Sequence, residues 1–171
     1  MTSRESKSLT MSVLMTTDMA NFGGNVHGGK ILSLLDNVAY ACASRYSQSY
    51  VVTLSVDQMF FKEPIHVGDL VTFKARVNYT GRSSMEVGIR VEAEALRSGH
   101  RRHTNTCYFT MVALDDAGRP TAVPPVPLGC EDDRIRHAAA MRRIEQRKKL
   151  RAAPAGDNAV AAPCSVERAE Q

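Results

Sequence analysis

The chain has 171 residues, 43% of them hydrophobic and 6% aromatic, and a formal net charge of +4. This length supports one domain with a hydrophobic core and a tail, and two full domains are not expected. The basicity is local, because residues 131–151 hold eight Lys/Arg against four Asp/Glu. The net positive charge therefore does not indicate that the main domain binds nucleic acid.

No stretch has the apolar run of a signal peptide or the length of a transmembrane helix, which predicts a cytoplasmic protein without membrane contact. The four cysteines and five histidines lack metal-ligand spacing, so we expect free thiols and neither a metal site nor an organic cofactor.

Residues 8–16 predict an opening strand, followed by a glycine- and asparagine-rich loop from Asn21 and a helix to about Arg45. At 100° per residue, one stripe of this helix is apolar, which predicts burial along that side. The stripe consists of Ile31, Leu34, Leu35, Val38, Ala39 and Cys42.

Asp36 lies at the border of this stripe, and no basic residue stands three or four positions away. Such a carboxylate suits a general base or nucleophile, although a solvated surface aspartate is the ordinary alternative. Gly28 and Gly29 stand where the helix begins, so a ligand can approach the free N–H groups of its first turn. Those donors favour a developing oxyanion. His27 is either a third participant or a residue that starts the helix.

Alternating residues predict further strands. Val52, Leu54 and Val56 form the first, with a break in register expected near Met59–Phe61. Two longer runs at 71–79 and 85–95 are joined by a hairpin at TGRSS, and a last strand contains Cys107, Phe109 and Met111. In the second long run, Glu86, Arg90, Glu92 and Glu94 are expected to face outward. The pattern predicts an antiparallel sheet with one apolar and one polar face, covered by a single long helix. Its exposed edge favours pairing with a second copy of the chain.

The C-terminal part divides into a basic helix at 129–151, which follows the domain at 8–128, and a disordered tail at 152–171. Acidic residues begin this helix and basic ones end it, as the helix dipole favours. A surface or interface helix is favoured over one that binds nucleic acid, because no aromatic residues are interleaved.

A first loop of the form NxxGNVHGGxxLxxLD resembles the hotdog-fold acyl-CoA thioesterases, also called acyl-CoA hydrolases. Further matches are SVDxxxFxxPIxxGD at Ser55–Asp69 and NYTGRSSMEVGIRVEA at Asn78–Ala93, so the resemblance covers roughly residues 11–128. It implies an α+β hotdog fold, in which an antiparallel sheet of about five strands wraps around one long helix. It also implies hydrolysis of acyl-CoA to a free acid and coenzyme A, and edge-to-edge dimers that can assemble further as trimers of dimers.

The resemblance also implies roles for individual residues. Asp36 would be the general base or nucleophile, and Asn21 of the other subunit would orient the water or the thioester carbonyl. His27, Gly28 and Gly29 would surround the thioester oxygen, and Asn25 matches a motif asparagine of less certain role. The Gly81–Ser84 turn, with Gly81, Arg82, Ser83 and Ser84, would contact coenzyme A, and Arg82 would meet a phosphate.

Two alternatives remain open at this point. One is a hotdog hydratase or dehydratase that uses His27 as its base, although the histidine-centred motifs of such enzymes are missing from the sequence. The other is a non-catalytic module that senses acyl-CoA and reaches a partner through the basic helix.

Overall fold

The computed structural model describes residues 7–152. Strand β1 (Ser8–Leu14) and a short 3₁₀ turn (Thr17–Met19) lead to helix α1 (Gly28–Ser47). Strands β2 (Tyr50–Val56), β3 (Asp69–Thr80), β4 (Ser84–Ala95) and β5 (His100–Leu114) follow, and helix α2 (Glu131–Ala152) comes last. The predicted tail at 152–171 lies outside the described residues from position 153 onward. Neither helix within 7–152 is long and apolar enough to cross a membrane.

The five strands form one antiparallel sheet in the order β1-β3-β4-β5-β2. Strands β3, β4 and β5 are a meander of consecutive hairpins, and β1 and β2 are the two edge strands. The predicted α+β fold, with an antiparallel sheet packed on one long helix and a second helix at the C-terminus, is confirmed.

The core lies between α1 and the inner face of the sheet. The predicted stripe of α1 is buried, with Leu34 half-buried at its border, and the alternating residues of β3, β4 and β5 meet it. The largest fully buried side chains include Phe73, Phe109, Ile31, Leu35, Met85, Ile89 and Met111. Because the helix is packed along its length, residues on its other side have fixed positions relative to the sheet.

Strand β2 differs from the expected pattern. Its register shifts between Thr53 and Ser55, not near Met59–Phe61, and Leu54 and Val56 are 55% and 41% exposed. The register break therefore lies within β2, and its alternating residues Leu54 and Val56 are not buried in the protomer. A bulge gives the strand one extra residue, so the simple period of two does not hold across it.

The outer face of the sheet is not left to solvent, because α2 crosses it from β3 to the end of β2. Glu86, expected to point outward, does so but is only 1% exposed and pairs with Arg143 and Arg147 of α2. At the other end of α2, the buried Asp133 pairs with Lys7 and with Arg76. Ion pairs thus attach the thinly apolar α2 to a polar sheet face.

Candidate active site

Asp36 lies on the exposed side of α1 and is held by the edge strand β2. The hydroxyl of Thr53 donates a hydrogen bond of 2.6 Å to Asp36 Oδ1. Among residues 7–152, Oδ2 of Asp36 has no hydrogen-bond partner, so it is open to a water or a substrate. Leu32 and Tyr40, one turn before and after Asp36, are each 42% exposed. The carboxylate is therefore fixed at one oxygen and surrounded by uncovered apolar surface.

The loop before α1 fixes the orientation of the Asn21 amide. Its Oδ1 accepts hydrogen bonds from the backbone N–H groups of Gly23, at 2.9 Å, and Asn25, at 3.2 Å. The Asn25 carbonyl accepts a bond of 2.7 Å from the Asn21 N–H, which closes the loop. Because the oxygen is occupied by two donors, the side-chain NH₂ of Asn21 is the group presented outward as a donor.

The start of α1 is capped by His27, whose Nδ1 accepts a hydrogen bond of 2.9 Å from the Gly29 N–H. An accepting Nδ1 in a neutral imidazole places the proton on Nε2, so His27 offers a second donor and not a base. The Gly28 N–H has no partner among the described residues. The predicted pair of backbone donors is thus divided, with Gly29 engaged by His27 and Gly28 available.

The two glycines have different neighbours. A Cβ on Gly29 would lie 3.0 Å from the His27 ring, closer than an ordinary van der Waals contact. A Cβ on Gly28 would lie 3.6 Å from the ring of Phe61, which comes from the segment after β2. The available N–H of Gly28 therefore lies beside an aromatic side chain that is half exposed.

The Gly81–Ser84 turn joins β3 to β4 and is tied to neighbouring segments by its backbone. Gly81 N–H donates to the Ser84 carbonyl at 2.8 Å, while the carbonyls of Arg82 and Ser83 accept from Val123 and Ala113. The side chain of Arg82 is exposed and has no ion-pair partner within 7–152. A cavity of about 320 Å³ beside the turn is lined by Leu54, Gly81, Ser84, Glu86, Thr110 and Lys148.

The predicted catalytic and thioester-binding groups come from two places in the described protomer, the loop that starts α1 and the middle of α1. His27, Gly28 and Gly29 are contiguous, and Asp36 is on the same helix two turns later. Asn21 and Asp36 make no hydrogen bond to each other in the described part of the chain.

Comparisons with known proteins decide the family. A model of the thioesterase superfamily matches residues 23–99. Protein VdlD of Helicobacter pylori is 47% identical over 141 residues, which are 82% of this chain and 80% of VdlD. The crystal structure of an apo-hexameric acyl-CoA thioesterase superposes with a TM-score of 0.84 at 36% identity, covering 88% of this chain and 96% of that one. The chain belongs to the acyl-CoA thioester hydrolases.

A second solved relative has been determined with bound ligands and as single-residue variants. The acyl-CoA hydrolase of Staphylococcus aureus, solved with butyryl coenzyme A, coenzyme A and coenzyme A disulfide, is 29% identical with a TM-score of 0.80. The superposed region covers 86% of this chain and 90% of the S. aureus enzyme. Alanine variants of the S. aureus enzyme at an asparagine, an aspartate and a threonine have also been solved.

Thr53 is the site residue that the sequence analysis missed. The sequence analysis used the alternating apolar residues Val52, Leu54 and Val56 to predict β2, and it assigned no role to the Thr53 hydroxyl between Val52 and Leu54. A signal was present, since Thr53 is one of two Ser/Thr residues, with Ser55, in the strand that directly follows the helix carrying Asp36. Its contact with Asp36 spans 17 positions along the chain.

Proposed function

We propose that this hydrolase cleaves acyl-CoA with the Asp36 carboxylate, which Thr53 holds in place through one oxygen. The observation that carries the proposal is the 2.6 Å hydrogen bond from Thr53 to Asp36 Oδ1, with Oδ2 left open. The asparagine, aspartate and threonine varied in the S. aureus enzyme occur in the same order and at the same separations as Asn21, Asp36 and Thr53. The correspondence supports a shared set of three residues.

Two chemical routes fit an open Oδ2. As a general base, Asp36 takes a proton from water, and the hydroxide formed attacks the thioester carbonyl. The tetrahedral intermediate then expels the coenzyme A thiolate, which takes the proton back. As a nucleophile, Asp36 attacks the carbonyl itself, expels the thiolate and leaves a mixed anhydride that water hydrolyses. A single turnover in ¹⁸O-water separates the routes, because the anhydride route can place the label in Asp36.

The oxyanion of either route needs hydrogen-bond donors. Gly28 offers its N–H at the positive end of the α1 dipole, and His27 offers Nε2–H. Asn21 offers its side-chain NH₂, which favours binding of the thioester carbonyl or of the water oxygen. We assign the role of Gly29 to holding His27, since its own N–H is engaged.

We further propose that the working site lies between two subunits, with Asn21 and Asp36 from different chains. Strand β2 has an unpaired edge in the protomer, and its Tyr50, Leu54 and Val56 are 61%, 55% and 41% exposed. An apolar edge strand beside the exposed face of α1 favours pairing with a second copy. Further assembly into a trimer of dimers is the form suggested by the hexameric relative.

The Gly81–Ser84 turn is proposed to contact the coenzyme A part of the substrate. Arg82 is exposed and without an ion-pair partner among the described residues, so its guanidinium is free to meet a phosphate. We propose a cytoplasmic location, as for the distant rat relative named a cytosolic acyl coenzyme A thioester hydrolase.

The experiment that tests the proposal measures hydrolysis of a panel of short- to long-chain acyl-CoAs by wild type and Asp36→Asn. Asp116→Asn is the matched control, because it makes the same chemical change at an exposed residue away from the site. We expect Asp36→Asn to lose about 10²–10⁴-fold in turnover while its thermal unfolding stays unchanged. Turnover at the wild-type rate in Asp36→Asn would remove Asp36 from the mechanism.

A further inference from the structure

The C-terminal helix α2 is attached to Asp57, the first residue after β2. Arg147 Nη1 lies 2.5 Å from Asp57 Oδ2, and its Nη2 lies 3.1 Å from Glu86 Oε2. Both Arg147 and Asp57 are only 18% exposed in their side chains. One guanidinium thus connects the middle of the sheet with the first residue after β2.

A second arginine of α2, Arg143, contacts the same part of the sheet as Arg147. Glu86 also accepts from Arg143 at 2.6 Å and 3.2 Å, and the Arg143 guanidinium lies 3.6 Å from the centre of the Tyr108 ring. Burial acts to lower the pKa of Arg147, but its bonds to Asp57 and Glu86 outweigh this and raise it. Because Glu86 keeps Arg143 when Arg147 is changed, Arg147 can be replaced without leaving the fully buried Glu86 carboxylate unpaired.

Asp57 begins a segment, residues 57–62, that returns to the start of α1. Its Asp57 N–H donates to the Tyr108 carbonyl at 3.0 Å, and its Lys62 N–H donates to the Thr104 carbonyl at 3.0 Å. Between these two bonds, the Phe61 ring packs against Gly28. The 57–62 segment therefore connects α2 directly with the helix start that carries the available Gly28 N–H.

The segment also has space into which it could shift. A cavity of about 520 Å³ between it and the end of α2 is lined by Val56, Asp57, Tyr108, Arg147 and Leu150. Ser55, which also lines the cavity, has a buried hydroxyl with no hydrogen-bond partner in the structure. The ion pair between Arg147 and Asp57 lies at this cavity and connects the segment with α2 on this side.

We propose that Arg147 and Asp57 are positioning residues for the acyl-binding side of the active site. Their ion pair holds the 57–62 segment so that Phe61 stays beside Gly28. Phe60 and Phe61, which are 63% and 50% exposed, then contact the acyl chain. The basic helix then has a role in substrate selection that its solvent-facing charges do not indicate. The inference rests on the proposed function, because it takes Gly28 to lie beside the thioester.

Kinetics of Arg147→Gln and Asp57→Asn test the positioning role across acyl chain lengths. Arg134→Gln is the matched control, since Arg134 is on the same helix but, among the described residues, forms an ion pair only with the neighbouring Glu131 at the exposed end. We expect KM for long-chain acyl-CoAs to rise about five- to tenfold in both test variants, with KM for acetyl-CoA and all kcat values changed less than about twofold. Arg147→Lys, which can still reach Asp57, should restore part of the preference for long chains.

Hydrogen exchange of the same variants provides a readout that does not depend on activity. We expect the amides of Asp57 and Lys62 to exchange about tenfold faster in Arg147→Gln than in Arg134→Gln. Wild-type exchange in Arg147→Gln overturns the inference, and so does an equal fall in kcat for every chain length. Failure of the proposed function is recognised separately. It would appear as equal turnover in wild type and Asp36→Asn, and not as a difference between Arg147→Gln and Arg134→Gln.

Discussion

Replacing Thr53 with valine removes the hydroxyl that holds Asp36 and keeps the shape of the side chain. The hydroxyl donates to a carboxylate oxygen, and charge-assisted hydrogen bonds of this kind are worth about 1.5–3 kcal/mol. Thr53 is exposed in the protomer, so the lower figure of about 1.5 kcal/mol applies. Since about 1.4 kcal/mol corresponds to a factor of ten, Thr53→Val should lose about tenfold in kcat.

The assay is steady-state hydrolysis of one acyl-CoA by wild type, Thr53→Val and Thr53→Ser, with thermal unfolding measured in parallel. Thr53→Ser keeps the hydroxyl and should retain most of the activity. Neither variant should change the unfolding temperature much, because the side chain is exposed on an edge strand. A wild-type kcat in Thr53→Val would refute the argument that this hydrogen bond orients the carboxylate.

Three further predictions address assembly, reactivity and acid stability. Mixing inactive Asp36→Asn and Asn21→Ala subunits after dissociation should restore about a quarter of wild-type activity. Half of the random dimers then contain one subunit of each kind, and each of these has one intact site of two. No recovery would mean that each chain builds its site alone. Burial raises the pKa of the Cys107 thiol to about 12, so iodoacetamide at neutral pH should modify the exposed Cys130 in the folded protein and leave Cys107 unmodified, as peptide mass spectrometry would show; equal labelling would contradict the buried thiol. Hydrogen bonds from Arg90 and Lys74 lower the pKa of Glu92 from 4.5 to about 2, so its stabilisation is present above about pH 4.5 and is lost as the pH falls towards 2. Glu92→Gln should therefore cost about 1 kcal/mol in urea unfolding at pH 7 and nothing near pH 2, and an equal cost at both pH values would refute this linkage.

The elements that the sequence predicted well are those whose pattern is local. The stripe of α1 repeats every three to four residues, and the sequences of the long strands β3 and β4 alternate, so periodicity identifies both. The pairing of β3 nevertheless shifts in register between Val77 and Tyr79, near the end of the strand. Strand β2 was predicted less well, because a single bulge between Thr53 and Ser55 cancels the alternation. The loop with Asn21, His27, Gly28 and Gly29 was recognised through its motif, and its position before α1 followed from the chain order.

By itself, the sequence determined the family resemblance, the central helix with Asp36 on its border, and the sheet that packs against it, because these depend on neighbours a few positions apart. The tertiary structure alone decided which groups meet across the chain. It brought Thr53 to Asp36 and buried Glu86 beneath α2 through Arg143 and Arg147. In the sequence, Glu86 has the alternation of a solvent-facing strand residue. Its burial depends on a helix more than 40 positions later, whose docking is set by charge pairing that no local period encodes.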